Sequence, residues 1–366
     1  MVASPLERVK KRPVRMALKK KIYSLLCLLV PWSTFGQTQG LIYPIIRDNA
    51  KPPARVVIVH DPAATDTFQP RPEIVLNMLN RGLTAFTGKT TPTAAWQSLV
   101  STQDTVGIKI YSAPGPNTGT RAAVVAAVVE GLLEARIPPN HIIVWDKQTE
   151  DLRAAGYFEF GARFGIRVES SAAAGYDTNA FYSPEKPILG QPVWGDLEFG
   201  RQGEGVGRKS FVSKLVSTGM TKIINLPPML NHYRAGVSGN LYSLTMGAVD
   251  NTFRFEVDPD RLATAVPEIY ALPSVGDRVV LNIVDALLCQ YEGEHSIRLH
   301  DSIALNELRF GTDPVALDVL SFQELNRQRQ AAKLPANTNR FDIFPNASEL
   351  ELGVSDLANI RIERVR

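Results

Sequence analysis

Short apolar, β-branched runs alternate with helical patterns along most of this chain, and no other feature narrows its fold as far. Arg55-Val56-Val57-Ile58-Val59-His60 opens the series as a buried strand, and a helical pattern follows near residues 73–81. Residues 104–110 read as a second strand and 122–135 as a strong helix. A third strand covers 141–146 and a fourth 165–169, with a helix between them. A helix is expected near 211–217, then strands at 222–226 and 278–285, a helix over 313–324 and a closing strand over 360–365. Continuous apolar strands bounded by helices indicate a parallel sheet covered on both faces. The expected architecture is therefore α/β and doubly wound, a mostly parallel sheet or pair of sheets arranged as two Rossmann-like subdomains. A (β/α)8 barrel is the competitor, disfavoured by the irregular spacing around residues 170–207.

The first residues have a different character. Lys19-Lys20-Lys21 precede the apolar run 22–30, and Ser33-Thr34-Phe35-Gly36 follow. Basic, then apolar, then small is the layout of a secretory signal peptide, and the apolar run falls short of the roughly 20 residues that span a bilayer. Residues 1–36 are thus expected to be an export signal, starting at Met1 or Met16, with 37–54 as a linker. The α/β part is expected over 55–366, dividing roughly into 55–200 and 201–366. Leu26 before Cys27 argues against lipidation, and contact with a membrane would be confined to export. The destination would be periplasmic or extracellular.

Setting that leader aside reverses the charge. It holds 8 of the 40 Lys and Arg and 1 of the 37 Asp and Glu, so residues 37–366 carry a net charge of −4. A mildly acidic chain without a basic run is not expected to bind nucleic acid. Cys289 is then the only thiol, which excludes an internal disulfide, a structural zinc held by several cysteines and an iron–sulfur cluster.

The segment 221–255 concentrates candidate chemistry. Its strand breaks at Pro227-Pro228 and leads to Asn231, His232, Tyr233 and Arg234 beside Gly236, Ser238, Gly239 and Asn240, then on to Gly247 and Arg254. A strand that ends in polar, glycine-rich sequence is where α/β folds place their ligands. Other strands also end in polar residues: His60 and Asp61, Lys109 and Tyr111, Asp146 and Lys147, and Asp285. They could converge on one crevice, or each could cap a helix, as Asp313 before Pro314 is placed to do. Gly203-Glu204-Gly205-Val206-Gly207-Arg208-Lys209-Ser210 lacks the glycine that a phosphate loop needs immediately before Lys-Ser. None of the five histidines forms an HxH or HExxH pair. A metal would have to be assembled from distant residues, such as His232 with Asp285 or His295.

These residues resemble the DUF362 proteins, whose biochemical role is undefined. Val106-Gly107-Ile108-Lys109-Ile110 is similar to that family's Val-Gly-Ile-Lys-Val strand. Ile224 to His232 and Gly236 to Gly247 are similar to its central strand, turn and helix. Ile283-Val284-Asp285-Ala286 with Glu292-Gly293 resembles a later strand and turn, and Asp313-Pro314-Val315-Ala316-Leu317-Asp318 a helix start. The chain departs from the family at Tyr111, where an asparagine is usual, at Leu230, where a lysine is usual, and at Tyr242-Ser243, where Lys-Asn is usual.

Two functions are expected from this reading. One is an exported enzyme, or former enzyme, acting on a small polar or anionic metabolite. In it His232 serves as acid/base, Lys109 and Arg254 as charge stabilisers, and Asp285 as orienter or metal ligand. The alternative to that leading expectation is a ligand-binding protein without catalysis on the same scaffold, which the departures at positions 111, 230, 242 and 243 make plausible.

Overall fold

The computed structural model describes residues 53–183, 207–294, 296–335 and 341–365. The expected leader, residues 37–52 of the expected linker, His295 and residues 203–206 of the glycine-rich run lie outside them. Among the described residues, twelve strands and five longer helices organise the fold, apart from a pair of two-residue strands. The first half runs β1 (Ala54–His60), α1 (Pro72–Thr87), β2 (Val106–Ile110), α2 (Ala122–Glu134), β3 (Ile142–Asp146) and β4 (Arg167–Ser170). A hairpin of β5 (Tyr176–Tyr182) and β6 (Ser210–Ser213) follows, then β7 (Lys222–Leu226), β8 (Pro228–His232), β9 (Gly236–Val237) and α3 (Asn240–Ala248). The remainder is α4 (Pro259–Tyr270), β10 (Val279–Gln290), β11 (Ser302–Gly311), α5 (Pro314–Ala331) and β12 (Ile360–Val365).

One mostly parallel sheet carries strands from both halves, in the order β12-β1-β11-β10-β7-β2-β3-β4. β2 from the first half lies directly beside β7 from the second, with Lys109 opposite Asn225. The two-subdomain expectation thus meets a continuous sheet across the 200 boundary. β11 is the antiparallel member, paired with both β10 and β1.

Side-chain alternation along the strands sorts the interior into two layers. Val106, Ile108 and Ile110 join Ile142, Val144, Ile224 and Leu226 on the face covered by α1 and α2. Ile143, Trp145 and Ile223 point to the other face, under Leu241 and Leu244 of α3, Val266 of α4 and Leu317 of α5. Lys109, between Ile108 and Ile110, is therefore turned toward α3.

Two sequence expectations are corrected. Residues 211–217 are not a helix. Phe211 pairs across to Phe181 in the β5–β6 hairpin, and only Leu215–Gly219 coils, as a wide turn. Phe211 and Val212 find buried partners in extended form, and that tertiary contact overrides the helical spacing. The Pro227-Pro228 break is also not an end. The chain resumes as β8, which runs parallel to β10 with Pro228 opposite Asp285. Among the described residues no helix is long and apolar enough to cross a membrane.

Candidate functional site

Among the described residues a hollow lies beyond the carboxyl ends of β2 and β3, where doubly wound sheets bind ligands. It is a cleft of about 300 Å³, at the small end of ligand sites. Tyr111 and Ala113 enter it from the end of β2, and Asp146, Lys147, Gln148 and Asp151 from the end of β3. Tyr242, Ser243, Met246 and Gly247 of α3 form one wall, and Thr252, Phe253 and Glu256 another.

Beneath the cleft sits Lys109, fully buried. Its ammonium is 2.9 Å from Asp146 Oδ1 and donates to Ser243 Oγ at 3.1 Å and to the Ile110 carbonyl at 2.5 Å. The three donors of a lysine are thereby used. Burial lowers the Lys109 pKa, and the Asp146 carboxylate opposes that shift. Asp146 Oδ2 in turn accepts from the Ser112 backbone N–H and hydroxyl, both at 2.7 Å. Gly247 makes room for this arrangement: a Cβ there would stand 2.1 Å from Lys109 Cε.

Above this floor the walls are aromatic and hydroxylic. Tyr242 donates to Glu256 Oε1 at 2.8 Å, and Lys147 donates to Thr252 Oγ1 at 2.8 Å. The Tyr111 and Tyr242 rings meet edge-on, with centroids 6.5 Å apart. Both phenols are pushed well above their usual range, first by burial and then by neighbouring carboxylates, Asp146 and Glu256 for Tyr111 and Glu256 for Tyr242. They stay protonated.

The four residues expected to carry chemistry are distributed around this cleft without lining it. Lys109 is its floor support. His232 ends β8 behind Tyr242, ring centroids 4.2 Å apart, and its Nδ1 accepts from the backbone N–H of Ala235 at 3.0 Å and of Arg234 at 3.3 Å. That nitrogen is an acceptor holding a tight turn. Arg254 is buried on the short helix Phe253–Glu256 and ties it to the β6 side, donating to the Arg208 carbonyl at 2.5 Å, Ser210 Oγ at 2.7 Å and the Asn251 carbonyl at 3.3 Å. Asp285 engages Arg121 instead: its Oδ2 is 3.0 Å from the guanidinium and accepts the Arg121 backbone N–H at 2.9 Å, at the start of α2. Asp61, at the end of β1, pairs with Arg81 at 3.2 Å.

Asp318 acts across elements in a comparable way. From α5 it accepts the N–H of Asn240 at 2.6 Å, the Asn240 side-chain amide at 2.8 Å and the N–H of Leu241 at 2.9 Å, capping the positive end of α3. Gly239 permits that approach, since a Cβ there would lie 2.1 Å from Asp318 Oδ1. Cys289 is buried, and burial pushes its thiol up, away from reactive thiolate chemistry. Among the described residues no group of three or more His, Cys, Asp and Glu is arranged to hold a metal ion.

Residues 106–323, more than half of the chain, match the model of DUF362, a domain of unknown function. The chain belongs to the DUF362 family. No curated protein matches the sequence. Among solved structures it is similar to a Thermotoga maritima protein determined in a structural genomics programme, at 11% identity and a TM-score of 0.39. That likeness covers 72% of this chain and spans 60% of the other's length.

Three of the four positions where the resemblance implied other residues fall together. Tyr111, Tyr242 and Ser243 all line the cleft, while Leu230 is buried in the core layer beside α3. Asp151, Thr252, Phe253 and Glu256 were not singled out in the sequence as site residues. One sequence signal does point to the floor. Lys109 is the next-to-last residue of a buried strand, and Asp146 ends the strand beside it, with Lys109 opposite Trp145.

Proposed function

We propose that this DUF362 member is a small-molecule binding protein whose ligand occupies the cleft between the ends of β2 and β3 and helix α3. One observation carries the reading. The four side chains expected to carry chemistry, His232, Lys109, Arg254 and Asp285, are each engaged in bonds that hold a turn, a floor, a wall or a helix start, and none of them lines the cleft. A catalytic acid, base or nucleophile has to reach the reacting atoms. The polar groups that can touch a ligand here are tyrosines, a serine, a threonine, Gln148, Lys147 and carboxylates, which suit recognition.

The basic, apolar and small pattern of residues 1–36 supports export as part of the same proposal. Amino-terminal sequencing of the protein recovered from cell fractions would show a start shortly after residue 36. An intact leader on a protein confined to the cytoplasm would contradict it.

Blocking the cleft tests the binding reading. Ala113 is exposed at the rim, so Ala113→Trp fills the cavity without disturbing the core. Thermal shifts would be recorded against a panel of carboxylates, phosphates, amines and neutral polyols. The expected result is stabilisation of the native protein by at least one class and its loss in Ala113→Trp. A panel that stabilises neither protein, or both equally, contradicts the proposal.

A further inference from the structure

We infer that the ligand of this cleft is anchored by an aromatic ring on a small body, held by stacking and by burial of its carbon surface; this rests on the cleft being the binding site. Polar side chains around the cavity are bonded to one another or to the floor. Tyr242 donates to Glu256 Oε1 at 2.8 Å, the Thr252 hydroxyl donates to Glu256 Oε2 at 3.3 Å, and Lys147 donates to Thr252 Oγ1 at 2.8 Å. Ser243 Oγ accepts from Lys109 at 3.1 Å. Asp146 accepts from Lys109, from the Lys147 backbone N–H at 2.8 Å and twice from Ser112, which fills the lone-pair sites of a carboxylate. These internal bonds fix the walls and occupy their polar atoms. A ligand there gains most from apolar contact, and that gain does not depend on the sign of any charge it carries.

The carbon surface on offer is largely aromatic. Tyr111, Tyr242, Phe253 and Met246 all line the cavity. The Tyr111 and Tyr242 rings stand at 72° to one another with centroids 6.5 Å apart. A flat ring parallel to one of them turns its edge to the other, so the stacked and the edge-to-face contact can be made together. His232 backs Tyr242, with centroids 4.2 Å apart, so this ring is already ordered and binding has little to immobilise. Burial first, and then nearby carboxylates, keep both tyrosines neutral. Phe253 stands at the mouth, 56% exposed, and Val257 one helical turn on is 53% exposed. Residues four apart on a helix are neighbours, so an apolar pair is open to water beside the cavity. A bound ring covers apolar surface there. An apolar cavity of about 150 Å³ takes benzene, so about 300 Å³ admits a ring with a short substituent.

Calorimetric titration of the full chain with three matched pairs tests this: benzoate against cyclohexanecarboxylate, benzylamine against cyclohexylmethylamine, and phenol against cyclohexanol. The aromatic member of at least one pair is expected to bind saturably, about fivefold more tightly than its saturated partner. Phe253→Leu, at an exposed position, keeps apolar bulk but loses a ring, and should reduce that preference to about twofold. Ala113→Trp should abolish binding of both members. Equal affinity within every pair, or an unchanged preference in Phe253→Leu, would overturn the aromatic assignment. Binding only of ring-free compounds such as acetate, phosphate or glycerol, lost in Ala113→Trp, would overturn it too and leave the cleft reading standing. Aromatic binding that survives Ala113→Trp would place the site elsewhere and overturn both. If nothing in either experiment binds, both are wrong.

Discussion

Two buried ion pairs, one at the ends of β2 and β3 and one at the middle of β10, do different work. Lys109–Asp146 and Arg121–Asp285 have almost equal separations, 2.9 and 3.0 Å, and neither is open to water. Asp146 shows its other side to a cavity, whereas Asp285 is spent on the first turn of α2. A cation paired with an aspartate therefore builds the floor of a cleft in one place and a helix anchor in another. What separates them is the neighbour: Gly247 of α3 leaves space beside Lys109, and Ser243 opens it toward the cleft.

Breaking each pair in turn gives the largest expected effects. Lys109→Met leaves Asp146 charged and unpaired, and Arg121→Met does the same to Asp285. Each should cost about 3–5 kcal/mol in urea unfolding. The two should part on binding. Ligand affinity in folded Lys109→Met should fall several-fold because Asp146 loses its anchor, while folded Arg121→Met should bind as the native protein does. Equal binding by both variants would erase the distinction.

Gly247→Ala sharpens the comparison with less force. An alanine in a helix is ordinarily better than glycine by about 0.5–1 kcal/mol. Here the new Cβ meets a lysine that cannot move away, so a net loss of about 1–3 kcal/mol is expected instead. A stabilised Gly247→Ala protein would mean that Lys109 is not packed as described.

A further prediction concerns Asp318, the carboxyl that caps α3. Burial pushes it up to about 7, against the lowering action of the Leu241 and Asn240 donors. In the unfolded chain it ionises near 3.8, so between those values the folded protein holds a proton that the unfolded chain has released. Its contribution to stability thus declines as pH rises from about 4 to about 7 and is level above. Asp318→Asn should flatten that part of the stability–pH curve. The test is urea unfolding of both proteins across the range, and a slope identical in the two would reject the assignment.

Much of the architecture could be read from periodicity. The strands at 222–226 and 360–365 were predictable to the residue, because their apolar runs are short and bounded on both sides. β11 was not legible. Its alternation is interrupted at Asn306, in the left-handed conformation at φ 55°, and Glu307 and Arg309 pair with each other within the strand. Such a strand looks polar until its partners β1 and β10 are known. The site was half legible for a similar reason. Lys109 stood out as a cation in an apolar run, but its bond to Asp146 depends on β2 and β3 being neighbours. Asp285 and Arg254 carried the right chemistry, and the crossovers turned them toward Arg121 and Ser210. Glu256 and Phe253 gave no signal, because they reach the cleft only after the turn that follows α3.

On the proposed reading a ligand sits in the cleft and not at the turn at His232. The most direct measurement compares the affinity of Ala113→Trp with that of His232→Asn, in which the new side-chain oxygen can still accept from Ala235 N–H. The expected result is abolished binding in Ala113→Trp and binding within a few-fold of native in His232→Asn. Native affinity in Ala113→Trp with abolished binding in His232→Asn would contradict it.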